Sequence, residues 1–197
     1  MHDISLGQTI RDYLTGEEIE STTYEDLRQA LARMLVEEKG YPKGSLIPRA
    51  PVTFPVEGRE YTRLVDLAAL DDEDRPLIIY IFCSGVVTTY ERETLAAARL
   101  FPNGPAPLAA ATDTKEASLL AVKDGERLGQ GMAALPDWNK VLELAAKHPS
   151  PPLDATRRDR EQRILYCYSE SLYDCCSEAA CTISERGGRF SEDTELP

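Results

Sequence analysis

The chain has little histidine, two residues in 197, and a single tryptophan. His2 and His148 stand at opposite ends of the folded region, so a histidine-based nucleophile system has no support. Trp138 reads as a helix-packing residue. No apolar run approaches the roughly 18–20 residues that span a bilayer. The longest, residues 76–83, has the length of a strand. Residues 1–4 carry neither a basic start nor a following apolar stretch, so a secretory signal is not expected. No Walker loop or GxGxxG occurs, and Gly129-Gln130-Gly131 is too short to count as one. Positive charge is scarce: 22 Lys and Arg against 34 Asp and Glu leave a formal net charge of −12. Wrapping nucleic acid needs a basic surface that displaces counterions. These absences predict a cytoplasmic protein with no membrane contact, whose partner is another protein. DNA is disfavoured as a partner, though open.

Cysteine is present but unevenly placed. Cys83 lies in the apolar run, while Cys167, Cys175, Cys176 and Cys181 crowd toward the C-terminus. An odd count of five without a secretory signal argues against a disulfide framework. Four thiolates have the number for a tetrahedral Zn²⁺ or iron–sulfur site. Their spacing matches no CxxC pair, however, and adjacent Cys175 and Cys176 do not easily ligate together. The favoured reading is a packed Cys167 with partly exposed thiols beside it, and metal at the cluster is the lesser alternative.

Hydrophobic residues make up 42% of the chain, enough for a core. Residues 1–20 show weak helical signal, with Ile10, Tyr13 and Leu14 on one face. Residues 23–39 predict a helix through the stripe Leu27, Ala30, Leu31, Met34 and Leu35, capped by Thr22 or Thr23 and closed by Gly40. Strands are predicted at 51–56, 61–70 and 76–84, with the acidic run 71–74 as a turn. The third is apolar on both faces and therefore central. A helix capped by Thr88 or Thr89 runs to 101, a strand covers 108–112, a hairpin covers 118–128, and a helix opens at Pro136. The proline-rich stretch 148–152 reads as a linker, followed by a charged helix whose Arg157, Arg158, Arg160 and Arg163 form a solvated face. The division expected is an N-terminal segment 1–22, an α/β domain 23–147, a linker and cysteine-containing helical segment 148–186, and a disordered tail 187–197.

This order of elements resembles the N-terminal domain of type I restriction enzyme R subunits. The residues carrying the likeness are Arg28-Gln29, the segment 36–42 (Val-Glu-Glu-Lys-Gly-Tyr-Pro), Leu64-Val65-Asp66, the strand 76–81 and Ala111-Thr112-Asp113-Thr114. The resemblance covers roughly residues 10–135 and implies a restriction-endonuclease-like α/β fold, a mixed central sheet flanked by helices. That family cuts DNA with an Asp on one strand and a Glu-x-Lys on the next, around a divalent metal that activates water. Asp66 matches the first carboxylate. The aligned triplet here is Phe82-Cys83-Ser84, with Phe82 at the Glu position and Ser84 at the Lys position.

Three readings follow. The first is a catalytically inactive interaction module on a nuclease-like frame, with no cofactor and Asp66 as a remnant. The second is a metal-dependent DNA endonuclease using Mg²⁺, with Glu91 and Glu93 as displaced carboxylates. The third is a nucleic-acid or redox-linked module acting through the C-terminal cysteines. In the first, a turn centred near residue 73 sets Asp66 opposite Tyr80 and lets the Phe82 ring fill the vacated metal pocket on the same face.

Overall fold

Every residue of the strand Pro76–Phe82 (β5) is buried, as expected of a strand covered on both faces. The computed structural model describes residues 5–83, 85–174 and 188–191. Around β5 the sheet runs β3 (Leu46–Val56), β4 (Arg59–Leu70), β5, β6 (Leu108–Thr112), β7 (Ala117–Ala121) and β8 (Arg127–Gln130) in spatial order. All pairs are antiparallel except β5 with β6, which are parallel and joined by helix α2 (Val87–Leu100). A two-residue strand, β9 (Arg189–Phe190), adds to β4 beside Tyr61 and Thr62. The fold is therefore the mixed, helix-flanked sheet that the sequence implies.

Alternation along the strands sorts their side chains onto two faces. Ile78, Tyr80, Phe82, Leu108 and Ala110 pack with Leu31 and Leu35 of the first helix, α1 (Thr23–Arg33) and its following turn, and with Val141 and Ala145 of α3 (Trp138–Lys147). Ile79, Ile81, Ala109 and Leu120 pack with Leu95 to Leu100 of α2 and with Leu165 of α4 (Ala155–Asp174). Both faces are thus covered, as a sheet containing a parallel pair requires.

Several local readings change. The first residues are not helical: β1 (Ser5–Arg11) and β2 (Glu18–Thr22) form an antiparallel hairpin outside the main sheet. Asp12 closes it, accepting the backbone N–H groups of Leu14 (2.8 Å) and Thr15 (3.0 Å). Thr22 does cap α1, accepting from the Glu25 N–H at 3.1 Å. The expected stripe faces inward except for Ala30, which is exposed, and the buried face extends to Glu25, Arg28 and Gln29. Helix α2 begins at Val87, so Thr88 and Thr89 lie inside its first turn instead of capping it. Finally, α4 follows the proline-rich stretch without standing apart. Leu165 is fully buried in the core, and Glu161 pairs with Arg92 (2.7 Å) and Arg99 (3.0 Å) of α2. Residues 157–163 are solvated on one side only: the four arginines are exposed, but Glu161 points inward. The expected disordered tail includes β9, whose Phe190 ring meets Tyr61 edge-on at 5.1 Å.

Candidate functional site

The β3–β4 hairpin turns at Glu57-Gly58, both at positive φ, the geometry that a tight two-residue hairpin needs. Further along the pair the strands change face. Phe54, Val52 and Ala50 of β3 and Tyr61, Val65 of β4 face α2 and α4, whereas Leu46, Leu67 and Ala69 face α1. The switch falls at Arg49 and Asp66, between the pairs Pro48↔Leu67 and Ala50↔Val65 of an unshifted register, where Arg49 adopts φ 50°. Asp66 therefore stands where β4 peels away from β5, the two strands pairing from Leu67↔Tyr80 onward. Its buried carboxylate lies in that seam, and Oδ2 accepts the backbone N–H of Phe82 in a short hydrogen bond. The side chain replaces the main-chain acceptor that the departing strand no longer supplies.

This register corrects the expected geometry. A bulge between Ala69 and Leu70 shifts the pairing by one residue, and a one-residue slip exchanges faces. Asp66 thus lies level with Ile81, next beyond the Leu67↔Tyr80 pair. The Phe82 ring does not sit over the carboxylate. It points into the α1 face and meets the Tyr24 ring edge-on, with centroids 5.8 Å apart.

The carboxylates considered as displaced ligands are both in ion pairs. Glu91 receives Nε (2.9 Å) and Nη2 (3.0 Å) of Arg127 on β8, a forked pair at the surface. Glu93 is fully buried on α2, where its Oε1 accepts from Arg63 of β4 at 2.9 and 3.2 Å; its Oε2 is buried without a hydrogen-bond partner. No group of three or more His, Cys, Asp or Glu able to hold a metal occurs among the described residues. Cys167 is exposed on α4, and Cys83 is buried beside Val87 and Ala111. Ser84, Cys175, Cys176 and Cys181 lie outside the described residues. Among those described, no helix is long and apolar enough to cross a membrane.

Two polar clusters near the seam escaped sequence reading. Arg28 is fully buried and ion-paired with Asp12 and Glu25, and Gln29 Nε2 donates to Asp12 at 3.1 Å. Burial pushes the Asp12 carboxyl up, but the Arg28 hydrogen bond, with the N–H groups of Thr15 and Leu14, outweighs it and holds the pKa at about 2. The second cluster joins Tyr41 to Tyr80, oxygen to oxygen at 3.0 Å, with Tyr41 also donating to the Pro136 carbonyl at 3.2 Å. Burial pushes the Tyr80 hydroxyl far above its ordinary range, so it stays neutral. The only signal for the first cluster was the i, i+3 pair Glu25 and Arg28 on a face that otherwise reads as apolar.

A cavity of about 620 Å³ opens on the face opposite Phe82, at the carboxyl ends of β5 and β6. Its walls include Cys83, the first turn of α2, Lys115, Ser118 and Gln130. Asp66 is not among the lining residues.

One solved structure similar to this chain is the type IIG restriction endonuclease BpuSI, at 11% identity and a TM-score of 0.38, over 87% of this chain and 18% of that one. The chain thus spans under a fifth of that enzyme. No curated protein matches the chain. A family model described as type I restriction enzyme R protein N terminus matches residues 23–136, a stretch that runs from the start of α1 through Asp66 and Phe82 to the edge of α3. By that match, over more than half its length, the chain belongs to the family of type I restriction enzyme R protein N termini.

Proposed function

We propose that this domain is a catalytically inactive member of its family, which works by binding a protein partner on a nuclease-like frame. The observation that carries the reading is the state of Asp66. Its carboxylate is engaged by the Phe82 N–H, and the neighbouring position that should supply a second carboxylate holds an aromatic ring turned into the α1 core. A hard divalent cation needs several oxygen ligands held together. One buried carboxylate already accepting a backbone hydrogen bond is a poor start. The net charge of −12 also works against a phosphate backbone as the main ligand.

A second reading, a metal-dependent endonuclease with displaced ligands, draws support from one feature: the Oε2 of Glu93, buried and without a hydrogen-bond partner. Recruiting it would strain or break the Arg63 pair, and removing one partner of a buried pair costs about 3–5 kcal/mol. We therefore favour the first reading. Supercoiled plasmid incubated with the purified chain and Mg²⁺ or Mn²⁺ should stay supercoiled. Nicking that disappears in both Asp66→Ala and Glu93→Gln would establish the second reading instead.

A further inference from the structure

We propose that the cavity between β6, β7 and the first turn of α2 is a binding site for the phosphate group of a small phosphorylated ligand of mononucleotide size. The site is separate from the Asp66 seam, because Asp66 is not among the residues that line the cavity.

The argument begins with the start of α2. This 14-residue helix has no side-chain cap, since its N-cap residue is Val86. Thr89, the residue best placed to help, turns the other way: its hydroxyl donates to the Val86 carbonyl at 2.7 Å. Among the described residues nothing accepts the N–H groups of Val87 and Thr88. First-turn N–H groups and the helix dipole together attract an anion.

A second, independent observation comes from the floor of the cavity. Ser118 of β7 is fully buried, and its Oγ has no hydrogen-bond partner. It pairs across the sheet with Ala111 of β6, which packs with Cys83 and Val87, so this hydroxyl lies beneath the start of α2. An orphaned buried hydroxyl costs about 1–3 kcal/mol, and a bound acceptor oxygen removes that cost. Lys115 lines the rim and is exposed, giving the site a cation that can close over an anion. Two carboxylates also line the walls. Asp113 Oδ1 is turned back into its own loop, accepting the N–H groups of Lys115 (2.9 Å) and Glu116 (2.7 Å). Glu116 is exposed and opposes the anion through solvent. The volume lies within the range of roughly 300–1,000 Å³ typical of small-molecule sites, and the carboxyl ends of parallel strands are where open α/β sheets bind ligands.

The test uses the full chain, ¹⁵N-labelled, titrated with inorganic phosphate and, separately, with adenosine 5′-monophosphate. Saturable shifts at the Val87 and Thr88 amides are expected with both, with the nucleotide binding more tightly. Lys115→Gln, at an exposed position, should weaken binding about fivefold or more, and Glu116→Gln should strengthen it about twofold. Ser118→Ala should weaken it while leaving the spectrum otherwise folded. Absence of saturable shifts at these two amides, or shifts unchanged by Lys115→Gln and Ser118→Ala, would overturn the site. Shifts with phosphate and none with the nucleotide would overturn the ligand class.

Discussion

The two faces of the sheet handle polar groups differently. On the α1 face they pair with one another, Nη1 of Arg28 excepted. Arg28 is held by Asp12 and Glu25, Tyr41 meets Tyr80, and Phe82 presents only a ring, packed on Tyr24. On the α2 face the middle is clamped by buried ion pairs, Arg63 with Glu93 and Arg99 with Glu161, while the end opens into a cavity with a bare helix start and an unpartnered hydroxyl. Position 82, where the family's nuclease pattern needs Glu, faces α1, and with Phe82 packed on Tyr24 it is closed. The position aligned with the family's Glu is filled by a ring packed into a core, and the open cavity of this domain lies across the sheet.

The comparison can be broken most severely by removing the clamp. Deleting residues 151–197 takes away Leu165, strips Glu161 from Arg99 and uncovers Tyr61, whose hydroxyl donates to Glu170 at 2.9 Å. The shortened chain is expected to lose its cooperative thermal transition. A sharp transition within a few degrees of the full chain would show that the α2 face does not depend on α4. Phe82→Ala attacks the other face. It should cost about 3–5 kcal/mol, the ordinary range for emptying a buried aromatic site. A cost below about 1 kcal/mol in chemical denaturation would mean the position is a lightly packed remnant of a pocket.

Most of the fold was legible in the sequence, and the reasons are specific. The central strand β5 announced itself through seven apolar residues, and α1, α2 and the β7–β8 hairpin through period and turn chemistry. The seam was not legible. Its geometry depends on a bulge at Ala69/Leu70 and on the positive φ of Arg49; no glycine stands at either, and Pro48 beside Arg49 and Pro76 opposite Leu70 do not by themselves specify a bulge or a left-handed residue. A one-residue slip then reversed the relation of Phe82 to Asp66. The hairpin β1–β2 was hidden because Ile10, Tyr13 and Leu14 mimic a helical stripe across what is in fact a strand and its turn. The role of α4 was hidden by a proline-rich approach and a row of exposed arginines, although Glu161, Ile164, Leu165, Tyr166 and Ser169 on its inner side pack against the core.

The smallest effect expected concerns acid. Asp12 sits at about pKa 2 in the fold against its ordinary 3.8, so it favours the folded state fully above about pH 4 and loses that contribution as pH falls toward 2. The contribution is on the order of 2 kcal/mol at neutral pH. Asp12→Asn should remove it and flatten the stability profile between pH 4 and 2, measured by urea unfolding. An unchanged acid limb would show that Arg28 is held without Asp12, and that the α1 face is less tightly closed than its geometry suggests.

The central claim is that Asp66 serves the backbone of β5 and holds no catalytic metal. Manganese tests it directly, because a bound paramagnetic ion broadens nearby amide signals. With millimolar Mn²⁺ added to the ¹⁵N-labelled chain, the Phe82 amide should keep its intensity relative to other buried amides. In Asp66→Asn that amide should move while staying equally sharp. Selective loss of the Phe82 and Asp66 signals on adding Mn²⁺, restored in Asp66→Asn, would contradict the account and place a metal in the seam.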